Sequence, residues 1–472
     1  MSKRKRQAIL FFTYGFMTLA VIVITVVCLL LVLGYRFDVK DKRIEQGGLI
    51  QFRTMPAAAQ IVVDGVQLDG KTPTKTEVSA GSHTVVMRRD GYENWQKTVS
   101  VDAGELRWLD YARLIPKTIA SKSVAPAANV TAAQASPNHE YIAALATDAP
   151  TAIKLFDIRD QTKVTAKSFV IPEAVLTKEA GAASSLLLVE WDISSRYLLV
   201  QHRNGTVVEY IRIDRTVADG AARNITREYN LPFHDMHFSG TSGNVYYAMT
   251  GTDIRRVDVG AKSVSQPLVI GVESYVLYGD ATIAYVARTP AQTLVGLLKN
   301  DKATTIRTLP VSEPVWVDYT EYFYHRYLAI GSRAHVDVVR DPVDAASSLR
   351  PYVTTSLPYE IQWLRFSDNG RMLFAGSGRA YDVYDLETSE NTLVNTDEAG
   401  TDGAPMLLDN YYLIDNPTDT LRLYEFDGTN RHTVVKSERT LPAVLSSDQR
   451  YLYSFVREAD ALVLQSSRFV LD

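Results

Sequence analysis

Two histidines and a set of scattered carboxylates are the residues whose types could support catalysis or metal binding. The stretch "HDMH" places His234 and His237 three residues apart, a spacing that metal sites use. Two imidazoles supply only part of a zinc site, and side chains three apart in a strand face opposite sides of the sheet. Acid–base catalysis needs carboxylates that the fold brings together, and the candidates are Glu190, Asp192, Asp318, Glu321 and Asp382. We predict no metal, no cofactor and no catalytic residue.

Short motifs and the charge balance narrow the function classes further. The sequence contains no G-x-S-x-G turn, no H-E-x-x-H pair, no phosphate-binding P-loop and no G-x-G-x-x-G after a strand. The formal net charge is −4, and four positive charges lie within residues 3–6, so the rest of the chain is more acidic still. Because nucleic-acid binding requires a basic face, the sequence argues against nucleic acid as a partner.

The densest aromatic patch runs from Tyr319 to Tyr327, with Trp316 just before it. Aromatic rings can stack on sugar rings, so a surface that contacts a glycan is one interpretation of this patch. The candidate contacts are Trp316, Tyr319, Tyr322 and Tyr324. The alternative interpretation is that these rings pack between structural repeats.

The N-terminus has the pattern of a membrane anchor. The basic cluster at residues 3–6 precedes an uncharged run from Gln7 to Tyr35, longer than the ~20 residues that a spanning helix needs. A cleaved signal peptide would end in a small-x-small site, and a lipoprotein would have a small residue before Cys28; neither pattern is present. We predict a cytoplasmic basic tip and single-pass anchor at 1–35, a juxtamembrane segment at 36–46, and the bulk of the chain outside the cytoplasm.

Beyond the anchor, the pattern changes to alternating apolar and polar residues. The stretches "GLIQFRT", "AQIVVDG", "HTVVMRR" and "QKTVSVD" are typical of half-buried strands. Between them lie Asp-Gly and Ala-Gly pairs that suit tight turns. The pattern predicts a compact antiparallel domain at 47–116, in which the lone His83 has a structural role.

The same residues resemble the PEGA domain family. The family pattern is a proline-led turn, a "V-x-V-D-G" strand end, "G-x-T-P", "G-x-H" and "G-Y". This chain has Pro56, "VVDG" at 62–65, "GKTP" at 70–73, "GSH" at 81–83 and "GY" at 91–92, with three alanines where Glu-Gly-Ala is expected after the proline. The resemblance implies a small extracytoplasmic β-sandwich, and the family carries no catalytic set.

The remaining chain is built of repeats. Each copy is a polar turn, an apolar strand, a second polar turn and another strand, at intervals of about 37 to 56 residues that fit four-stranded propeller blades. The first strand residues are Tyr141, Tyr197, Val245, Thr282, Tyr327, Met372, Tyr411 and Tyr451. "FSDNGRMLF" resembles the turns of WD40-like and TolB-like propellers. We predict a seven- or eight-bladed propeller at 136–472, after a linker with a candidate closing strand at 117–135.

Two functions from different classes fit this all-β ectodomain behind one transmembrane helix. The first is a cell-envelope binding or scaffold protein whose propeller face binds a partner protein or a polysaccharide. The second is an extracytoplasmic hydrolase or lyase with its site in the central channel. The strands taken here as innermost, including "YIAALA" and "YLLVQH", are mostly apolar and lack matched acids. This favours binding over catalysis.

Overall fold

The computed structural model describes residues 3–32, 35–38, 43–217, 220–311, 313–343, 350–378, 380–395, 405–459 and 461–471. Contacts divide the chain into two compact units. The first comprises Met1–Thr118 with Val470–Asp472, and the second comprises Ile119–Phe469. In the described residues, one helix is long and apolar enough to cross a membrane: α1 (Lys3–Val32), with the candidate span Phe11–Leu30.

The first unit contains a small β-sandwich, as the sequence predicts. After a hairpin of β1 (Tyr35–Asp38) and β2 (Arg43–Gln46), its strands are β3 (Gly48–Met55), β4 (Gln60–Val63), β5 (Val66–Lys71), β6 (Thr74–Val78), β7 (Gly81–Arg88), β8 (Trp95–Val101) and β9 (Leu106–Arg113). One sheet has the order β6-β3-β9 and the other β5-β4-β7-β8. Alternate residues are buried along β3, β7 and β8, so each strand contributes one apolar face to the shared core.

Three polar contacts, two of His83 and one of Tyr92, hold the turns and the last described residues of this unit. His83 is buried, and its ring nitrogens lie 2.6 Å from Asp64 Oδ2 and 2.7 Å from the carbonyl oxygen of Ser79. The predicted structural role of His83 agrees with these contacts. The backbone N–H of Leu471 donates to the phenol oxygen of Tyr92 at 2.6 Å.

The second unit contains eight four-stranded antiparallel sheets in its described residues, called blades 1 to 8. The chain enters through β10 (Ser121–Pro126). Blades 1 to 3 are formed by β11 (Val130–Ala135), β12 (Tyr141–Ala146), β13 (Ala152–Asp157), β14 (Thr165–Val170); β15 (Ser184–Trp191), β16 (Tyr197–Asn204), β17 (Val207–Asp214), β18 (Ala221–Asn224); and β19 (Phe233–Ser239), β20 (Val245–Thr250), β21 (Asp253–Asp258), β22 (Ser263–Val264). A 3-10 turn (Glu173–Val175) and the short helix α2 (Ile225–Tyr229) lie in the connections that precede and follow blade 2.

Blades 4 to 8 repeat the same arrangement. Their strands are β23 (Val272–Tyr278), β24 (Thr282–Arg288), β25 (Thr293–Lys299), β26 (Lys302–Leu309); β27 (Val315–Tyr322), β28 (His325–Ser332), β29 (His335–Arg340), β30 (Val353–Ser356); β31 (Trp363–Phe366), β32 (Met372–Gly376), β33 (Ala380–Asp385), β34 (Asn391–Asn395); β35 (Met406–Leu407), β36 (Tyr412–Asp415), β37 (Thr420–Glu425), β38 (His432–Lys436); and β39 (Val444–Leu445), β40 (Tyr451–Glu458), β41 (Ala461–Arg468).

Blade 8 is completed from the other end of the sequence. Its sheet order is β10-β41-β40-β39, so the first strand of the unit supplies the fourth strand of the last blade. The hydroxyls of Ser121 and Ser467 lie 2.7 Å apart across this pairing. The sequence predicts a candidate closing strand within residues 117–135, and β10 lies in that range. Closure covers an edge of β41 that would otherwise be unpaired.

Polar turns at the ends of the first strands explain why the repeats are visible in the sequence. In three of these turns a serine hydroxyl accepts a hydrogen bond, 3.0 Å long, from the backbone N–H five residues further on. The serines are Ser136, Ser367 and Ser446. Asp192 has the same role in blade 2, accepting from the N–H of Tyr197 at 2.6 Å.

The sequence interpretation of the innermost strands was wrong. The strands with "YIAALA" and "YLLVQH" are β12 and β16, each second in its sheet. First strands of successive blades contact one another, as β15 does with β11 and β19, and β27 with β23 and β31. The first strands therefore lie nearest the propeller axis, where their polar side chains meet.

Candidate functional site

The first strands of blades 2, 3 and 4 bring together a polar group that we call the axial cluster: Glu190, Asp235, His237 and Tyr275. His237 Nδ1 lies 2.9 Å from Glu190 Oε2, and its Nε2 lies 3.2 Å from Asp235 Oδ1. The ring of Tyr275 meets the imidazole edge-on, with centroids 5.5 Å apart. These side chains belong to β15, β19 and β23, so the cluster spans three consecutive blades near the axis.

A local irregularity in β19 sets which side chains join the cluster. The pairing register of β19 with β20 shifts between Phe233 and Asp235. Asp235 and His237, two residues apart, face the same side of the sheet. His234 lies outside the cluster, with its Nε2 2.5 Å from the carbonyl oxygen of Gly251. The two histidines of "HDMH" are therefore not brought together, and no group that could hold a metal ion occurs among the described residues.

The two carboxylates control the charge of His237. Burial favours the neutral imidazole, but the hydrogen bonds and charges of Asp235 and Glu190 outweigh it and raise the pKa of His237 to about 10. For Asp235, burial opposes ionisation, and the contact with His237 holds the pKa below its usual range. Burial, together with the charges of Asp235 and Glu190, raises the pKa of Tyr275 well above its usual value. At neutral pH the cluster holds a paired imidazolium and a neutral phenol.

This charge state limits the chemistry of the axial cluster. A general base near neutral pH must be unprotonated at its accepting nitrogen, whereas His237 is protonated and both ring nitrogens already have carboxylate partners. The four residues include no serine, threonine or cysteine, and the raised pKa of Tyr275 keeps its phenol neutral and a poor nucleophile at neutral pH. The cluster is suited to hydrogen bonding and to joining blades rather than to proton abstraction.

A second carboxylate near the axis makes a related contact between blades 5 and 6. Asp318 Oδ1 accepts from the N–H of Tyr319 at 2.8 Å, and Oδ2 accepts from the N–H of Phe366 at 2.6 Å. Burial raises the pKa of Asp318 to about 6, although both backbone N–H groups and the charge of Arg365 oppose the rise. This carboxyl group changes charge just below neutral pH.

The other candidate carboxylates are dispersed. Asp192 is a buried turn residue, and Glu321 is exposed, with Oε1 3.4 Å from the Tyr319 hydroxyl. Asp382 is buried on β33, the third strand of its blade, and burial raises its pKa to about 6. Of the five candidates, Glu190 alone joins a side-chain cluster near the axis in the described structure.

The four candidate aromatic contacts occupy different environments. Trp316 is partly buried in the core between blades 5 and 6, and Tyr319 is buried against Tyr278 of blade 4, with ring centroids 5.3 Å apart. The Tyr322 hydroxyl donates to Glu387 Oε2 at 2.9 Å. Tyr324 is fully exposed. Only Tyr324 of the four presents its whole side chain to solvent.

Sequence reasoning missed Phe323, which forms with Tyr324 the two-residue turn between β27 and β28. We call Phe323–Tyr324 the aromatic turn. Both residues have positive φ, 44° and 65°, and Phe323 is 70% exposed. Because Tyr322 pairs with His325, only Phe323 and Tyr324 lie in the turn. The aromatic turn could have been found in the sequence from two adjacent aromatic residues midway between two strands of the repeat.

Comparisons with known proteins agree with this architecture. Residues 48–114 match the family model of the PEGA domain. The chain is similar to solved structures that include apo AztD from Citrobacter koseri, at 14% identity and TM-score 0.40, covering 80% of this chain and 95% of that one. Another is the Myceliophteria thermophila Cps50 (Swd1) beta-propeller domain, at 11% identity and TM-score 0.39, covering 75% and 100%.

An oligogalacturonate lyase in complex with manganese is also similar, at 11% identity and TM-score 0.39, covering 62% of this chain and 95% of that one. No curated protein matches the chain. At these identities the similarity concerns the fold alone. The eight four-stranded sheets and the family match at residues 48–114 make the chain a β-propeller protein with a PEGA domain and one apolar N-terminal helix.

Proposed function

We propose that this protein is a membrane-anchored binding protein of the cell envelope and that its propeller binds an envelope polysaccharide. In this proposal α1 spans the cytoplasmic membrane, with the basic residues 3–6 on the cytoplasmic side and the propeller outside. The observation that carries the binding proposal is the aromatic turn, because it presents two large rings to solvent at one end of the propeller.

The backbone of the aromatic turn is unfavourable for its residues. Two-residue hairpin turns with positive φ at both positions prefer Asn-Gly, because bulky L residues lose about 1–2 kcal/mol each in this region. Phe323 and Tyr324 bury little surface in return. Strain of this kind is typical of ligand-contacting segments, which supports a binding role for the turn.

Groups beside the turn suit a ligand rich in hydroxyls. Glu321 is exposed, and Glu387 accepts from the Tyr322 hydroxyl next to the Phe323 ring. Carboxylates accept hydrogen bonds from sugar hydroxyls, while aromatic faces stack on the apolar faces of sugar rings. The combination favours a polysaccharide over an apolar ligand.

The test is co-sedimentation of the full chain, in detergent, with insoluble envelope polysaccharide. The double substitution Phe323→Asn and Tyr324→Gly removes both rings and installs the preferred turn residues, so it should preserve the hairpin. We expect this variant to lose at least about tenfold in affinity, equivalent to ~1.4 kcal/mol.

The matched control is Ile270→Asn, which changes an exposed apolar residue in the connection between blades 3 and 4. Binding by the control should equal that of the wild type. Equal binding by the double variant, or no sedimentation of the wild type, would contradict the proposal. In the second case, photocrosslinking from position 324 would test a protein partner instead.

A further inference from the structure

Three side chains of blade 2 form a hydrogen-bonded series of the types nucleophile, base and orienting acid. They come from neighbouring strands: Ser184 begins β15, His202 lies on β16 and Glu209 lies on β17. Ser184 Oγ is 3.1 Å from His202 Nε2, and His202 Nδ1 is 3.2 Å from Glu209 Oε2. His202 and Glu209 are directly paired across the strands. The group lies at the opposite end of β15 from Glu190.

The hydrogen-bond directions of this group are determined by its acid. For Glu209, burial favours protonation, but bonds from Thr177, Asn224 and His202 hold its pKa below the usual range. An ionised Glu209 accepts from Nδ1–H of His202, which leaves Nε2 as the acceptor for the Ser184 hydroxyl. This is the arrangement in which a histidine can remove a serine proton.

Ser184 lines a cavity, whereas His202 and Glu209 do not. A cavity of about 650 Å³ is lined by Ser184, Asn204, Lys178 and Gly181 among others. His202 and Glu209 are buried beneath it, with 0% and 3% exposure. Asn204 Nδ2 donates to Ser184 Oγ at 3.0 Å and fixes the hydroxyl from a second side. A small acyl compound could reach Ser184 from the cavity alone.

The remaining groups of the cavity match a carbonyl substrate. Lys178 places a cation at the rim, where it pairs with the exposed Glu173 at 2.7 Å. An ammonium group near the reacting carbonyl would stabilise negative charge that develops on its oxygen. The lining combines the polar side chains of Thr151 and Glu179 with the small residue Gly181. Short-chain esters suit this polar lining better than long acyl chains.

We propose that Ser184, His202 and Glu209 form a hydrolytic site for small carboxylic esters, a function beyond the binding proposed for the aromatic turn. Ser184 Oγ attacks the ester carbonyl carbon while its proton passes to His202 Nε2, and the same proton then leaves on the alcohol. Water then attacks the acyl-serine while its proton passes to His202 Nε2. The bond to Ser184 Oγ breaks, the same proton returns to that oxygen, and the acid is released. The sum is ester plus water giving acid plus alcohol, and Glu209 orients the imidazole in both halves.

The test uses the full chain in detergent with a fluorophosphonate probe and with p-nitrophenyl acetate. We expect the probe to label Ser184, identified by mass spectrometry of the tryptic peptide, and Ser184→Ala to lower ester hydrolysis at least about 100-fold. Glu209→Gln should lower kcat and alter the pH profile, because the acid sets the tautomer of His202.

The matched control is Ser185→Ala, which removes the adjacent, exposed hydroxyl of β15. It should keep full labelling and hydrolysis. Circular dichroism confirms that each variant is folded before its activity is compared. Absence of probe on Ser184 in the folded wild type, or equal hydrolysis by Ser184→Ala, would overturn the proposal and leave the three residues as a structural network that secures residues 177–184.

Discussion

Two carboxylates near the propeller axis make the same backbone contact in different electrostatic settings. Glu190 of blade 2 accepts from the N–H of Phe238 in blade 3, and Asp318 of blade 5 accepts from the N–H of Phe366 in blade 6. The residue before each phenylalanine is basic: His237 in one case and Arg365 in the other. Yet the imidazole of His237 pairs directly with the Glu190 carboxylate, whereas Arg365 acts on Asp318 through charge alone.

Side-chain length explains the difference. Glu190 uses one oxygen for the neighbouring blade and turns the other towards His237. The shorter Asp318 uses both oxygens for backbone N–H groups, so neither is directed at a cation. One contact therefore remains an ion pair at neutral pH, while the other gains or loses a proton near pH 6. The same bridge between blades can be insensitive or sensitive to pH, depending on one methylene group.

Removing the cation from the axial cluster should produce the largest effect. His237→Ala leaves the Glu190 and Asp235 carboxylates close together without a cation between them. We expect a loss of about 2–4 kcal/mol at pH 7, less than for a fully buried pair because the three side chains are 28–40% exposed. The measurement is urea unfolding of the full chain in detergent, followed by tryptophan fluorescence.

The pH dependence of this loss separates charge from packing. A pKa of about 10 for folded His237, against its ordinary 6.5, gives stability that is complete below pH 6.5 and lost as pH rises through 10. The difference between wild type and variant should therefore shrink steadily as pH rises from about 6.5 to about 10. His335→Ala, which removes an exposed imidazole on β29, is the control and should change stability by less than about 0.5 kcal/mol. A loss independent of pH would indicate packing instead.

Asp318→Asn should have the next largest effect, on the slope of stability with pH. The folded state binds the Asp318 proton up to about pH 6 and the unfolded state only to about 3.8, so wild-type stability falls as pH rises between these values. The raised pKa of Asp318 changes the free energy of unfolding by about 2–3 kcal/mol across this pH range. The substitution should flatten this slope. The control Asp368→Asn, at an exposed position in the turn of blade 6, should retain the slope. If Asp318→Asn also retained the slope, the pH dependence would not belong to Asp318.

The architecture was predictable because its signals are local. Turn residues such as Ser367 and Ser446 satisfy backbone groups only five residues away, so each repeat carries its own signature. The innermost strands were misassigned for a physical reason. Second strands such as β12 lie between two hydrogen-bonded neighbours and are buried on both faces, so they are the most apolar. First strands face the axis and carry polar residues.

The sites were harder to predict because their members are distant in sequence. Glu190 and His237 are 47 residues apart, and only the spacing of the blades brings them together. The aromatic patch was visible, but its division into buried Tyr319 and exposed Tyr324 depends on the alternation of β27 and on a turn that the strand pattern does not locate. A composition signal identifies the patch without showing which ring reaches solvent.

The smallest expected effect comes from Arg365→Leu. The Arg365 charge lowers the pKa of Asp318 without a hydrogen bond to it, so its removal should move the stability change of Asp318 to higher pH. The change in free energy should stay below about 1 kcal/mol, because an unpaired guanidinium interacts through solvent and is screened. High salt should likewise move the pH at which wild-type stability changes to a higher value. Arg333→Leu, which removes a cation paired with Glu313 in blade 5, should leave the transition in place. An unmoved transition in Arg365→Leu would show that burial alone sets the Asp318 pKa, and the contrast with Glu190 would then rest entirely on which oxygens reach the backbone.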